Sequence, residues 1–178
     1  MSLALANYHV LNENDVTTPT STISSKYRLG QIYYVMDSDA PSLITAYMYV
    51  KAHAALTQYQ PYVVHGTNTS GAEFVTAAPA TIAGQETVCV PQVAFTSGYF
   101  GFVAVQGRAT VLLINETHVA GDYLELLNAG AALVVDGTSG ATVYGVKGVA
   151  IQVGTLVGAG STTVNLLGGY RTSLVSAA

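Results

Sequence analysis

Tyr99-Phe100-Gly101-Phe102-Val103-Ala104-Val105-Gln106-Gly107-Arg108-Ala109-Thr110-Val111-Leu112-Leu113-Ile114 is the stretch on which the fold turns. Aromatic and β-branched side chains of this kind suit a pleated, half-buried surface better than a helix. Tyr99 to Val105 reads as one strand, Gln106-Gly107 as a turn, and Ala109 to Ile114 as the strand that follows. Downstream, Asp122 to Leu127, Ala131 to Val135, Thr142 to Val153 and Thr163 to Leu167 repeat the pattern. Turn signals separate them at Asn128-Ala129-Gly130 and Asp136-Gly137-Thr138-Ser139-Gly140, and Gly168-Gly169 closes the last. Strands spaced by about 8–12 residues, with Gly-rich turns and no convincing long helix, indicate a sandwich or barrel.

Upstream, Gln31-Ile32-Tyr33-Tyr34-Val35-Met36 is a further strand, stopped by Asp37-Ser38-Asp39 before Pro41. The segment from Leu43 to Leu56 has two readings. Leu43, Ile44, Tyr47, Met48 and Ala55 fit a helical stripe that Asp39 to Pro41 would start. Thr45 to Lys51 also alternates as a strand, with Ala46, Met48 and Val50 toward the core and Thr45, Tyr47, Tyr49 and Lys51 opposite. Tyr-rich alternation favours the strand. Tyr62-Val63-Val64-His65 follows, ended by the Gly66 to Gly71 turn. The first 26 residues are rich in Thr, Ser and Asn, with apolar residues too sparse to pack as a layer. The expectation is an all-β, mainly β fold. It is an antiparallel β-sandwich or barrel in one domain, residues 27–178, with an extended N-terminal arm, residues 1–26. Its core is expected mainly from Tyr99 to Leu167.

Composition narrows the function. Half of the 178 residues are apolar and only 9 % are charged, against about 25 % charged in an ordinary soluble domain. Disordered chains have the opposite balance. Six basic residues, scattered through a chain of net charge −4, do not make the clustered cationic patch that phosphate binding needs. No nucleic-acid partner is expected. Gly148 to Tyr170 lacks charge but is broken by Gly154, Gly158 and Gly160, so it is not a spanning helix. The start lacks a charged n-region and an apolar core of sufficient length. Neither a membrane segment nor a signal peptide is expected, and synthesis in a reducing cytoplasm is.

The search for chemistry returns little. His9, His53, His65 and His118 share no ligand spacing, and Cys89 is single, so paired-cysteine zinc sites are excluded. Glu116-Thr117-His118 with Asp122 reads as a solvated turn, and Asp37 and Asp39 as turn residues beside Pro41. There is no Gly-x-Ser-x-Gly elbow and no phosphate loop ending in Gly-Lys-Ser or Gly-Lys-Thr. No catalytic residue, metal or cofactor is expected. Cys89, inside Val88-Cys89-Val90, reads as a small buried hydrophobe. Tyrosine is the enriched resource: twelve, against four Phe and no Trp. A tyrosine buries a large ring and keeps a hydroxyl in need of a partner, which suits interfaces and cores alike. The candidate interface residues are Tyr33, Tyr47, Tyr49, Tyr59 and Tyr62, with Leu3, Leu5, Tyr8, Val10 and Leu11 as anchors of the arm.

Two signatures add a resemblance. Tyr47-Met48-Tyr49-Val50-Lys51-Ala52 followed by Ala54-Ala55-Leu56-Thr57-Gln58-Tyr59 is the first. The second is Ser97-Gly98-Tyr99-Phe100-Gly101-Phe102-Val103-Ala104-Val105-Gln106-Gly107. Ala109-Thr110-Val111-Leu112, Gly121-Asp122 and the segment from Gly145-Val146 to Ile151 then follow in order. This arrangement resembles the capsid decoration, or cement, proteins of tailed bacteriophages. Phe102 stands where their second signature usually has Trp. The resemblance implies a structural virion protein, made in the host bacterial cytoplasm and bound to the outer capsid surface. Its partner would be the phage major capsid protein, and it would act as a homo-oligomer, dimer or trimer, that staples neighbouring capsomers. A carbohydrate- or host-surface-binding β module of a phage fibre is the alternative reading of the same tyrosine-rich chain.

Overall fold

The structure is a computed structural model. It describes residues 11, 13–36, 44–64, 87–113, 117–126, 133–135, 146–150, 154–155 and 160–167. One short helix, α1 (Glu13–Val16), precedes the strands β1 (Ile32–Met36), β2 (Ile44–Lys51), β3 (Tyr62–Val64), β4 (Thr87–Cys89) and β5 (Phe100–Leu113). Then come β6 (Thr117–His118), β7 (Tyr123–Leu126), β8 (Leu133–Val135), β9 (Val146–Ala150), β10 (Gly154–Thr155) and β11 (Gly160–Leu166). The fold is mainly β, as the spacing of strands and turns indicates. Residues 44–51 form a strand, so the helical stripe is a coincidence of apolar positions. The expected turns at 128–130, 136–140 and 168–169, and the strand positions 65 and 151–153, lie outside the described residues.

Gln106-Gly107 is not a turn. The chain passes through it as one 14-residue strand, β5. Its first half pairs with β2, Lys51 opposite Phe100 through Tyr47 opposite Ala104. Its second half pairs with β11, Gly107 opposite Leu166 through Leu113 opposite Gly160. Each half therefore already has a partner from elsewhere in the chain, and a hairpin between the two halves would forfeit both ladders. Gly107 instead accommodates a bulge. Tyr47 lies opposite Ala104 and Ala46 opposite Gln106, leaving Val105 as the extra residue, and Gly107 takes φ 88°. A glycine at positive φ beside an extra residue is the usual chemistry of a bulge.

The large sheet runs β1-β2-β5-β11-β9-β7-β8, and β8 also pairs with β5. β5–β11, β11–β9, β9–β7, β7–β8 and β8–β5 thus form a circuit that returns to its start. All its pairs are antiparallel except β5–β8, which meet in parallel at Leu113 and Leu133. β1 and β2 extend from the first half of β5 as an antiparallel flange. Two short ladders, β3–β4 and β6–β10, complete the pairings. Gln92 supplies a side-chain substitute for one strand residue. Its Nε2 donates to Thr110 O at 3.1 Å and its Oε1 accepts from Thr110 N at 3.0 Å.

Three apolar clusters hold these elements together. Val111, Leu113, Leu124, Val164 and Leu166 pack with Val90 along the circuit. Val50, Leu56, Tyr62, Phe95, Val103 and Val105 cover one face of the flange. Tyr33, Val35, Tyr49 and Phe102 cover the other, with Leu11 and Val16 laid over them. Residues before Tyr99 therefore contribute to the described core alongside those from Tyr99 to Leu167. The reason is that the flange is covered on both faces. Ala46, Met48 and Val50 do face the second cluster, as their parity requires. Tyr49, on the opposite side, is buried as well because residues from the N-terminal segment lie across it.

Candidate functional site

The N-terminal segment is fixed to the flange largely through its own backbone. Thr20 and Phe100 exchange two hydrogen bonds, each 2.8 Å, and Leu11 N donates to Tyr34 O at 3.0 Å. Two tyrosine hydroxyls act as clamps: Ser24 N donates to Tyr49 Oη at 3.0 Å and Arg28 N to Tyr33 Oη at 2.9 Å. The rings beneath pack edge-on or tilted, with Tyr27 4.9 Å and Tyr33 5.6 Å from Phe102, centroid to centroid. Burial, reinforced by a hydrogen bond to the Asp15 carboxylate and by its charge, pushes the Tyr27 hydroxyl up to about 12. Burial also raises Tyr49, against a smaller opposing effect of the bond from Ser24. A cleft of about 240 Å³ remains between segment and flange, lined by Asp15, Thr18, Lys26, Tyr27, Tyr49 and Phe100 among others.

The tyrosines expected at an interface are placed mostly inside the chain. Tyr33, Tyr49 and Tyr62 are buried, as is Leu11, while Tyr47 and Tyr59 are half-buried. Tyr62 Oη accepts from Thr57 N at 2.8 Å, the same clamp chemistry. Tyr59 sits at φ 65°, unusual for a bulky residue. It is held there from both sides, donating from its N to Pro91 O and accepting at its O from Leu112 N, each at 2.8 Å. Leu3, Leu5, Tyr8 and Val10 lie outside the described residues.

What sequence reasoning missed is a strip of exposed aliphatic side chains. Ile32, Met36 and Ile44 are 43 %, 47 % and 52 % exposed. Met36 lies opposite Ile44 and Ile32 opposite Met48, so all of them share one face of the flange, the face turned away from Tyr33 and Tyr49. In β1 the usual expectation is inverted, with tyrosine inside and isoleucine and methionine outside. Both faces of Ile32 to Met36 are apolar, so alternation alone does not say which one the rest of the chain covers.

His118 corrects another expectation. It is not part of a solvated turn but a β6 residue paired with Gly154, only 1 % exposed, with neither ring nitrogen hydrogen-bonded among the described residues. The turn follows it: Val119 N donates to Asp122 Oδ2 at 2.7 Å and Gly121 takes φ 101°. Among the described residues no three His, Cys, Asp or Glu side chains gather as metal ligands. Cys89 is wholly buried and burial drives its thiol well above the ordinary range, in keeping with a small core hydrophobe. Among the described residues no helix is long and apolar enough to cross a membrane.

No protein-family model matches the chain. No curated protein matches it either. Among solved structures it is similar to the N base of the head fiber gp8.5 of bacteriophage phi29. The match has 14 % identity and a TM-score of 0.44, and covers 71 % of this chain and 98 % of that one. At that score and identity the two chains are not shown to share a fold or a role.

Proposed function

We propose that the chain is a structural virion protein of a tailed bacteriophage, a decoration (cement) protein that binds the outer surface of the major capsid shell and staples neighbouring capsomers. The observation that carries this reading is the aliphatic strip of Ile32, Met36 and Ile44 on an otherwise charge-poor molecule. Met36 and Ile44 lie side by side on adjacent strands, and exposed apolar side chains so placed suit a protein contact. The resemblance of Tyr47 to Tyr59 and Ser97 to Gly107 to the decoration-protein signatures supplies the identity of that partner. The mechanism is mechanical. Burying the exposed part of three aliphatic side chains is worth about 1 kcal/mol each, too little for one subunit to hold a shell alone. A dimer or trimer that engages several capsomers at once gains the rest by effective concentration.

Co-sedimentation with shells assembled from the major capsid protein tests the contact. Ile32→Asp with Ile44→Asp is expected to lower shell occupancy at least about tenfold at a temperature where circular dichroism shows both proteins folded, because both side chains are about half exposed. Unchanged occupancy would remove the strip from the reading.

A further inference from the structure

We propose that residues 48–64 and 87–103 are two equivalent β-loop-β units, interlocked about a pseudo-two-fold axis as the subunits of a symmetric dimer are. The axis passes between Leu56 and Phe95, which exchange backbone hydrogen bonds of 3.0 and 2.9 Å. Each residue of the first unit has its counterpart 39 positions later, the separation of Leu56 from Phe95. Most other contacts between the loops then occur twice. Tyr59 N donates to Pro91 O at 2.8 Å, and its counterpart Gly98 N donates to Ala52 O at 2.7 Å. The Gln58 side chain donates to Gln92 O, and the Ser97 side chain, at the equivalent place, donates to His53 O. Within the loops, Gln60 N donates to Thr57 O and Tyr99 N to Thr96 O. The ladders obey the same operation. Val50 lies opposite Gly101 and Cys89 opposite Tyr62, while Met48 lies opposite Val103 and Thr87 opposite Val64.

Backbone conformation and burial repeat as well. Tyr59 at φ 65° and Gly98 at φ 80° hold the same place in the turn. Along the two loops, residues 52–60 and 91–99, burial agrees at every position but His53 and Gln92. The departures have local causes. Ala52 N donates to Tyr99 O at 2.8 Å, and the counterpart bond is missing because Pro91 has no N–H. Tyr62 is matched by Gly101, where a Cβ would come within 2.8 Å of the Phe95 ring, larger than the Leu56 it corresponds to. Ala55, Thr57 and Val64 recur as Ala94, Thr96 and Val103, too few identities for the repeat to show in the sequence. The consequence is a clasp. β2 pairs with β5 and β3 with β4, always across the units, so neither unit separates without breaking both ladders and both sets of loop contacts.

Disulfide trapping on the full chain tests the equivalence. Ala55 with Thr96, and Thr57 with Ala94, flank the hydrogen-bonded pair Leu56–Phe95, and all four side chains are exposed. Flanking pairs of this kind are the close, non-hydrogen-bonded ones of an antiparallel ladder, with Cα atoms about 4.5 Å apart, which a disulfide spans. Ala55→Cys with Thr96→Cys, and Thr57→Cys with Ala94→Cys, are expected to cross-link on mild oxidation at rates within about tenfold of each other. The parent chain, whose single Cys89 is buried, is the blank. Closing either bond is expected to slow hydrogen exchange at the Tyr59 and Gly98 amides alike, because the loops open together. Should a cysteine pair lose its native circular dichroism, Gln58→Ala and Ser97→Ala, both at exposed positions, carry the comparison. Each removes one of two equivalent bonds and is expected to speed exchange at both amides about two- to tenfold. Cross-linking of one pair without the other overturns the proposal, as does failure of both in folded protein, or a change at one amide only. None of these results bears on shell attachment, which is read separately by co-sedimentation.

Discussion

Gly107 shows how one residue decides a local structure that its neighbours only suggest. Its φ of 88° lies in the left-handed region, and a Cβ there would strike the Ile44 carbonyl oxygen and come within 3.0 Å of Thr45 Cα. Gly107→Ala is expected to cost about 2–4 kcal/mol, combining backbone strain with a clash against an unyielding strand. Gly98 also has positive φ, but a Cβ there meets nothing within 4 Å, so Gly98→Ala is expected to cost only about 1–2 kcal/mol. Urea melts of the two variants check the difference. A dipeptide such as Gln106-Gly107 announces positive φ but not whether a turn or a bulge uses it, which is why it reads as a turn from sequence. Tyr27 gives a pH test. The unfolded side chain loses its proton near 10, whereas the folded one keeps it to about 12. The native state then holds more protons between those values. This stability is fully present below pH 10 and is lost as pH rises toward 12. The buried Tyr49, also raised, acts with the same sign. Thermal midpoints measured across that window, with tyrosinate absorbance as the monitor of ionisation, are expected to fall. A flat profile would contradict the burial of Tyr27. Cys89 is expected to resist thiol reagents in the folded protein and to react fully in denaturant.

At the scale of elements, the strands were legible and their surroundings were not. Runs of β-branched and aromatic residues, with period-two alternation in β2, located β1, β2 and β11 within a few residues and β5 as two separate strands, because strand character is a local property. Which face is covered is a non-local one. Tyr33 and Tyr49 are buried only because Leu11, Val16 and Tyr27 come back across them, and nothing in Gln31 to Met36 encodes that return. The cleft between segment and flange was invisible for the same reason, since it joins Asp15 and Lys26 to Tyr49 and Phe100. The polar segment before Tyr27 does more than its composition suggests, because its backbone and the hydroxyls of Tyr33 and Tyr49 supply contacts that sparse apolar side chains do not. Leu11→Ala with Val16→Ala is expected to destabilise the fold by about 2–4 kcal/mol and to increase proteolysis in the segment before β1. Stability unchanged from the parent would show that these two side chains contribute nothing to the packing of Tyr49 and Phe102.

For the whole molecule, β-type runs and the spacing of turns between them were enough to indicate a mainly β chain, since they reflect the number and length of strands. They do not encode the circuit through β5, β11, β9, β7 and β8, because partners so distant in sequence leave no local pattern. The exposed aliphatic strip is likewise a property of the assembled flange. On it rests the proposal that the chain decorates a capsid, and one measurement addresses this most directly. Purified protein is titrated onto shells of its phage's major capsid protein stripped of other surface subunits, and the particles are recovered by sedimentation and imaged. The expected result is saturable binding at a fixed number of copies per shell, with density on the outer surface where capsomers meet and with Ile32, Met36 and Ile44 against the shell. Failure to co-sediment with intact shells, or density confined to a fibre away from the shell surface, would contradict it.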